Sequence, residues 1–524
     1  MTRNSASRET IDVLINNAKS TMSYSEQLLQ NAELIKSKFS EHHITHYLQL
    51  LFELLSGSLS AIYEVCSDIK NMLSTENVYT KRFHMQMINL SQYELSVYLV
   101  GRDKGGVISE LITYLNKSHQ DSKELEDILQ QVKLLGEQCD IRLRNVTAHY
   151  DNPNTMYTML TTLNDEDVYA KRVGNQLLIH DKILKYISPV LQIITEKLSP
   201  DKKNCTYKKS VEELTLVDIL NDRVAEAFHN KGELDIIITE QMANAWVNIE
   251  SHKKIFSICE NAIGYLKDKQ FDYSRLTEIR TLEELRWEVS FMHYDLVCSM
   301  DTYLKASSNA ERSISFMRTY RIETSALSHL YGYNEKYKVK SIWNKIKSVP
   351  EFKYIPLSIE IEDELKALTA GFNSTKRNLY THYRDGAKLN IRERWRCANE
   401  MNHPKELMQM LRLVTLCKKI NQFLVLLISS MSSIEKQKKD EMLNPIRKIK
   451  ELAYKNNQQD IVDISDKFLS KFSLFDKKSK YSYPIVSSNL IMPFDSVCDI
   501  FRSIVEISKS RRVCAKTFLI KVAV

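Results

Sequence analysis

Glycine and proline are scarce in this chain, with 11 and 9 in 524 residues, against roughly 7% and 5% in an average protein. A sequence so poor in turn residues has few hairpins and few tight βα loops, so long helices joined by short polar connections fit best. Cysteine is also uninformative as a framework. The nine cysteines are scattered from Cys66 to Cys514, odd in number and without a CxxC pair. That excludes a disulfide scaffold and a cysteine-based zinc site as leading readings. Long apolar runs are missing too: the longest, Phe423 to Ile428, is far short of a membrane-spanning helix. The first ten residues carry no apolar core of the signal-peptide kind, so a cytoplasmic, reducing location is expected. Nor is there strong charge of one sign. A net charge of +7 is a mild bias that permits nucleic-acid contact without establishing it.

What is present is a globular composition, 43% hydrophobic and 27% charged, enough for real cores. Apolar residues recur at helical spacing through most of the chain, and the fold class expected is all-α. Helices are predicted over His46 to Leu73, Tyr79 to Val100, Val107 to Lys117, Ser122 to Tyr150 and Asp181 to Lys197. The same order returns about 230 residues later. Val65-Cys66-Ser67 matches Val297-Cys298-Ser299, Glu94-Leu95-Ser96 matches Glu323-Thr324-Ser325, and Val190 to Ile194 matches Phe423 to Leu427. A near-constant offset across matches in unchanged order is what internal duplication predicts. The division expected is a first helical domain over 1–200, a helical connector over 201–240, a second domain over 241–435, and a C-terminal extension over 436–524 with no assigned role. Within that extension, Tyr481 to Val486 reads as extended chain, and Arg511-Arg512 as part of a solvated basic face.

One motif lies at the same place in both halves: Arg144-Asn145-Val146-Thr147-Ala148-His149-Tyr150 and Arg377-Asn378-Leu379-Tyr380-Thr381-His382-Tyr383. On a helix, Asn and His four apart share a face. A turn signal follows each His, Asp151-Asn152-Pro153 or Arg384-Asp385-Gly386, which puts the imidazole near a helix end. Spacing alone is weak. Arg223 to His229 and Arg396 to His403 also satisfy a loose Arg-to-His spacing, and neither has a counterpart in the other half. Four residues recurring at one site in two matching units is the stronger signal. The chemistry fits RNA cleavage. An imidazole titrates near neutral pH and moves protons. A guanidinium holds phosphate and offsets growing charge. Asn orients either group, and the ribose 2′-hydroxyl serves as nucleophile without a metal.

The motif resembles that of the HEPN superfamily, helical-bundle domains whose signature is Arg followed by a polar residue and then His. The resemblance covers about residues 45–200 and 280–435. It implies a tandem pair of HEPN domains, an activity as a metal-independent RNA endonuclease of toxin–antitoxin or antiphage-defence type, and a 2′,3′-cyclic phosphate product. It also implies that Arg144, His149, Arg377 and His382 are catalytic, with Asn145 and Asn378 in support. Two such motifs would face one another in one cleft, within the chain as a pseudo-dimer or across a homodimer. Single-stranded RNA, tRNA included, is the implied partner, with an antitoxin or another regulatory protein restraining the activity. No cofactor or metal is expected, and no membrane. Some relatives in that superfamily carry a Tyr two positions after the His; here Tyr150 and Tyr383 follow directly, so the regulatory role of that tyrosine is not carried over. Tyr150 and Tyr383 are candidates for stacking on a base or for packing, with packing favoured. Glu94 and Glu323, on an earlier helix of each half, are candidates for an acidic partner of the Arg or His, or for a solvated face. The competing readings are a non-catalytic module binding RNA or nucleotide, and a purely structural helical scaffold.

Overall fold

In the computed structural model of the protein, the described residues are 13, 16, 46–101, 105–143, 150, 152–198, 231–268, 270, 273–306, 309–332, 335–371, 384–385, 388–389, 403–455, 459, 462 and 466. They are helical almost throughout, as the scarcity of turn residues requires. The first half runs through α1 (His46–Leu73), α2 (Val78–Val100), α3 (Val107–Lys117), α4 (Lys123–Glu137), α5 (Pro153–Thr162) and α6 (Glu166–Leu198). The second runs through α7 (Lys231–Asp268), α8 (Ser274–Lys305), α9 (Asn309–Leu330), the short α10 (Glu335–Lys340) and α11 (Ile342–Lys347), a 3₁₀ turn at Pro350–Tyr354, α12 (Leu357–Ala370) and the long α13 (His403–Lys455). Among the described residues, extended structure is confined to a small antiparallel hairpin, in which Arg384 pairs with Leu389 and Asp385 with Lys388. It falls where the turn signal after the second motif was read.

Local signals account for several boundaries. Asn77 caps α2, its side chain accepting from the amides of Tyr79 and Thr80, which satisfies donors left free at a helix start. The helix stops at Gly101, whose φ of 87° is cheap for glycine. In α4, Leu125, Ile128, Val132 and Leu135 recur at three and four and are all buried, one apolar stripe facing inward. Among the described helices, α1 is long and apolar enough to cross a membrane by length and composition, but 94% of its apolar window is buried inside the protein. It is wrapped by other helices in the manner of a core helix.

The core explains how the two halves relate. One cluster is local to the first half, formed by Leu50 to Leu59 of α1 with α3, α4 and Ile179, Ile183 and Ile187 of α6. The other spans both halves. In it Ile62 to Met72 of α1 and Phe83 to Leu90 of α2 belong with Trp287 to Met300 of α8, Ile314 to Tyr320 of α9 and Met410 to Met431 of α13. The halves are therefore not separately cored. The division read from sequence is corrected in two places. A boundary at 240/241 falls inside α7, and one at 435/436 falls inside α13; neither helix meets a Gly or Pro there to stop it. The connector helix read over Thr215 to His229 and the tail beyond 466 lie outside the described residues.

The first half places two long helices, α1 and α2, ahead of α3, whereas the second places three, α7, α8 and α9, ahead of its short helices. Val65, Cys66 and Ser67 on α1 are buried, as are Val297, Cys298 and Ser299 on α8. The sequence echoes thus lie on buried stretches of α1 and α8.

Candidate functional site

Arg144, Asn145, His149, Arg377, Asn378, His382 and Tyr383 lie outside the described residues. Tyr150, Glu94, Glu323 and the residues that bracket the first motif are described, and they define where that motif begins and ends.

Its beginning corrects the single helix expected from Ser122 to Tyr150. The chain breaks after α4, and helical backbone starts again at Ile141. Asp140 makes the new start: its Oδ1 accepts from the amides of Arg142 at 2.8 Å and Leu143 at 3.4 Å, a helix cap. Asp140 is itself fixed by Asn89, wholly buried on α2. Asn89 Oδ1 accepts from the Asp140 amide at 3.0 Å, and its Nδ2 donates to the Asp140 carbonyl at 3.1 Å. Arg172 of α6 donates to the same Asn89 oxygen. Burial works against the Asp140 charge, but hydrogen bonds from Arg142 and Leu143 outweigh it and hold the carboxyl below its ordinary range. The cap is therefore charged at neutral pH and favours the positive end of the helix it opens.

The motif ends at Tyr150, with φ at 53°, left-handed backbone that is uncommon for a tyrosine and breaks a helix. Two residues on, Asn152 caps α5 by accepting from the Thr155 amide, with Pro153 in the first turn. The turn signal is thus realised, and the tyrosine explains how its geometry is held. The Tyr150 ring is 1% exposed, and its hydroxyl donates to Asp295 Oδ2 at 2.9 Å. Asp295 lies on α8, in the other half. Tyr150 has the packing role favoured from sequence, and stacking on a base is ruled out by its burial. Its hydroxyl closes a bond between the end of the first motif and the second half of the chain.

Asp295 is fully buried. Desolvation pushes its carboxyl up to about 7, against the hydrogen bond from Tyr150 and the charge of Arg321. Close by, His329 in the last turn of α9 has its ring centroid 6.4 Å from that of Tyr150, and its Nε2 lies 2.9 Å from Glu288 Oε2 on α8. Burial and the charge of Glu288 together push the carboxyl of neighbouring Glu284 above its ordinary range.

Glu94 on α2 and Glu323 on α9 are 7% and 1% exposed. Both sit inside the protein, so the solvated-face alternative is overturned for each. Buried carboxylates require partners, and these two stand on α2 and α9 at positions matched in the sequence.

Sequence reading missed Asn89, Asp140, Asp295, Glu288 and His329. The available signal was a polar residue inside an apolar helical stretch, as with Asp295 between Met292 and Met300. It said only that the residue was costly to bury. Among the described residues no group of three or more His, Cys, Asp or Glu is arranged to hold a metal ion. Compared with protein-family models, with curated proteins and with solved structures, the chain has no match.

The Tyr150–Asp295 bond makes a pH-dependent prediction. Asp295 holds its proton more tightly folded than unfolded. Between the ordinary carboxylate range and about 7, the folded state therefore binds more protons, and stability falls as pH rises. Asp295→Asn keeps an acceptor for Tyr150 and removes the ionisation. Urea unfolding of this variant should show a flatter pH dependence between 4 and 7 than the parent. Tyr150→Phe should cost about 1–3 kcal/mol by leaving a buried carboxylate short of a donor. Parallel pH curves for parent and Asp295→Asn would contradict the assignment.

Proposed function

We propose that this protein is a metal-independent RNA endonuclease of HEPN type, a toxin or antiphage-defence effector, with one composite site built from its two motifs. The observation that carries the reading is the recurrence of Arg-Asn-x-x-x-His-Tyr, once in each half of the sequence. The bond from Tyr150 to Asp295 supports the composite arrangement, because it ties the end of the first motif to the other half. Descent of the halves by duplication of one unit is part of the same proposal, supported by the matched triplets on α1 and α8 and the matched carboxylates Glu94 and Glu323.

In this mechanism Arg144 and Arg377 hold the scissile phosphate and offset its added charge. One of His149 and His382 takes the proton from the ribose 2′-hydroxyl as its oxygen bonds to phosphorus. The other, protonated, gives its proton to the 5′-oxygen as the phosphorus–oxygen bond breaks. The products are a 2′,3′-cyclic phosphate and a 5′-hydroxyl. Asn145 and Asn378 orient these groups. The assay is single-stranded RNA, tRNA included, incubated with purified full-length protein in excess chelator. Cleavage with cyclic-phosphate ends is expected. Tight RNA binding without product, in the presence or absence of chelator and divalent ions, would favour a non-catalytic binding module instead.

A further inference from the structure

The first half encloses a polar layer to which the repeated motif assigns no part. Side-chain bonds fix how the helices around it run. Ser91 and Tyr98 of α2 reach Glu64 and the Glu53 carbonyl of α1. Tyr47 and Ser58 of α1 reach Tyr186 and His180 of α6. Lys182 and Arg172 of α6 reach Asp127 of α4 and Cys139 just past its end. In each pair one number rises as the other falls, so these neighbours are antiparallel. With α2 also packed on α4, the four helices α1, α2, α4 and α6 form an up-down-up-down bundle. Across its axis α2 and α6 run parallel, and the bonds from Lys81 to Glu166 and from Arg172 to Asn89 set their register. One turn beyond Asn89 and Arg172 stand Gln92 and Gln176, at one level. Gln92 shares a stripe of α2 with Leu95 and Leu99, and Gln176 shares one of α6 with Ile179 and Ile183. Those four apolar residues belong to the core local to this half, so both amides point into the bundle axis.

Gln92 and Gln176 are 0% and 1% exposed. Among the described residues, neither amide has a hydrogen-bond partner for its nitrogen or for its oxygen. One turn past Gln176, the buried His180 has Nδ1 2.6 Å from Ser58 Oγ, while its Nε2 has no partner. Burial pulls this imidazole down to about 4, so it is neutral at neutral pH. Whichever tautomer it takes, Nε2 is then a donor or an acceptor to be satisfied. Buried polar atoms left dry are costly and rare, and here several converge on one stretch of one axis. We propose that the axis of this bundle is a binding site for internal water, which bridges the Gln92 and Gln176 amides and reaches on to His180. Water suits the groups present. Each amide offers a donor and an acceptor, and water is both. The adjoining charge on α6, Arg172, is already held by Asn89, by Cys139 Sγ and by the face of the Tyr169 ring, so the layer has no spare charge to hold an ion. A layer enclosed by helices also suits an occupant that is satisfied by two to four polar partners.

The test joins a crystal structure of the full chain to a double-mutant cycle in urea. Density for water at about 2.7–3.2 Å from an amide atom of each glutamine is expected. Gln92→Leu and Gln176→Leu should each lower the folding equilibrium constant by about tenfold, because each strands the bridge on one side. The double variant should recover most of that loss, since two facing leucines need no bridge. Dry and independent amides would act in the opposite direction. Each leucine would then raise the constant, and the two gains would multiply. That result would overturn the proposal. So would an axis with no water in it, the two amides bonded directly to each other, or density for a molecule larger than water. Gln92→Met and Gln176→Met repeat the cycle should leucine not fit the layer, and the parental crystal structure decides the matter if neither set can be titrated.

Discussion

Arg318→Met destabilises the whole chain by about 3–5 kcal/mol, the cost of stranding a buried charge. Arg318 sits on α9 and grips Asp68 of α1 with both terminal nitrogens, each 2.5 Å from a carboxylate oxygen. Its Nη2 also donates to the Glu64 carbonyl at 3.1 Å. His84 of α2 shares the Asp68 carboxylate at 2.9 Å, and Ser91 donates to Glu64 Oε2. The side chains of Arg318, Asp68 and His84 are 5%, 0% and 1% exposed, so water cannot take over when one partner is removed. Methionine fills much of the arginine's volume, which isolates the lost charge from lost packing. Because α1 and α9 belong to one core, the effect should appear as a shift of a single urea transition rather than the early melting of one half. Asp68→Leu combined with Arg318→Leu should recover most of the loss, since replacing both members of a buried pair by apolar groups is often near neutral. A change under about 1 kcal/mol in Arg318→Met, in the range of an exposed ion pair, would show that this link contributes little. Lys70 and Glu311 form a second buried ion pair between α1 and α9, and its removal should act in the same direction.

That link also marks the limit of what the sequence could reveal. Asp68 and Arg318 are 250 residues apart, and each lies in a helix where periodicity places charged residues outward. Only the folded partner says otherwise. The α4 stripe from Leu125 to Leu135 was legible because apolar residues at three and four have one interpretation on a helix. So was the end of α2 at Gly101. The break at Asp140 was not legible, because it is stabilised by Asn89 and Arg172, from α2 and α6, rather than by glycine or proline. The length of α7 was misjudged for the opposite reason. Its first turns carry Leu234 and Ile236 to Ile238, and Ile238 is buried in the core shared by both halves.

At the candidate site the division is similar. Motif residues could be selected because four side-chain types recur at fixed spacing. The role of Tyr150 could be narrowed only to packing or stacking, and its left-handed backbone and bond to Asp295 decide for packing. Glu94 and Glu323 were found by their matched positions, but their burial depends on what covers α2 and α9. His329 and Glu288 left no pattern, having no counterparts in the first half. A repeat identifies what two halves share and is blind to what one half adds.

Replacing His149 and His382 together by Ala should lower RNA cleavage by about 10²–10⁴-fold, the usual contribution of positioned acid–base groups, with little change in melting temperature. The single variants are more informative. If both imidazoles serve one phosphate, each single replacement should lose nearly as much as the double, because groups acting as a unit are grossly non-additive. If each motif were a separate site, either single variant should keep about half the parental rate. Two imidazoles acting on one phosphate must stand within about 10 Å of each other. The Tyr150–Asp295 bond, which fixes the end of the first motif against α8, favours meeting that requirement inside one chain. Mixing the two single variants then tests the arrangement directly. A site formed within the chain leaves every molecule in the mixture with one imidazole missing, and the mixture stays inactive. A site formed across a homodimer lets one motif from each variant meet, so activity returns on mixing. The pH profile should be bell-shaped in the parent, because one imidazole must be neutral and the other charged. Removing either one should abolish the limb that it controls. Full parental cleavage by the double variant would mean that another part of the chain moves the protons, and the paired motif would then have to be read as a binding surface.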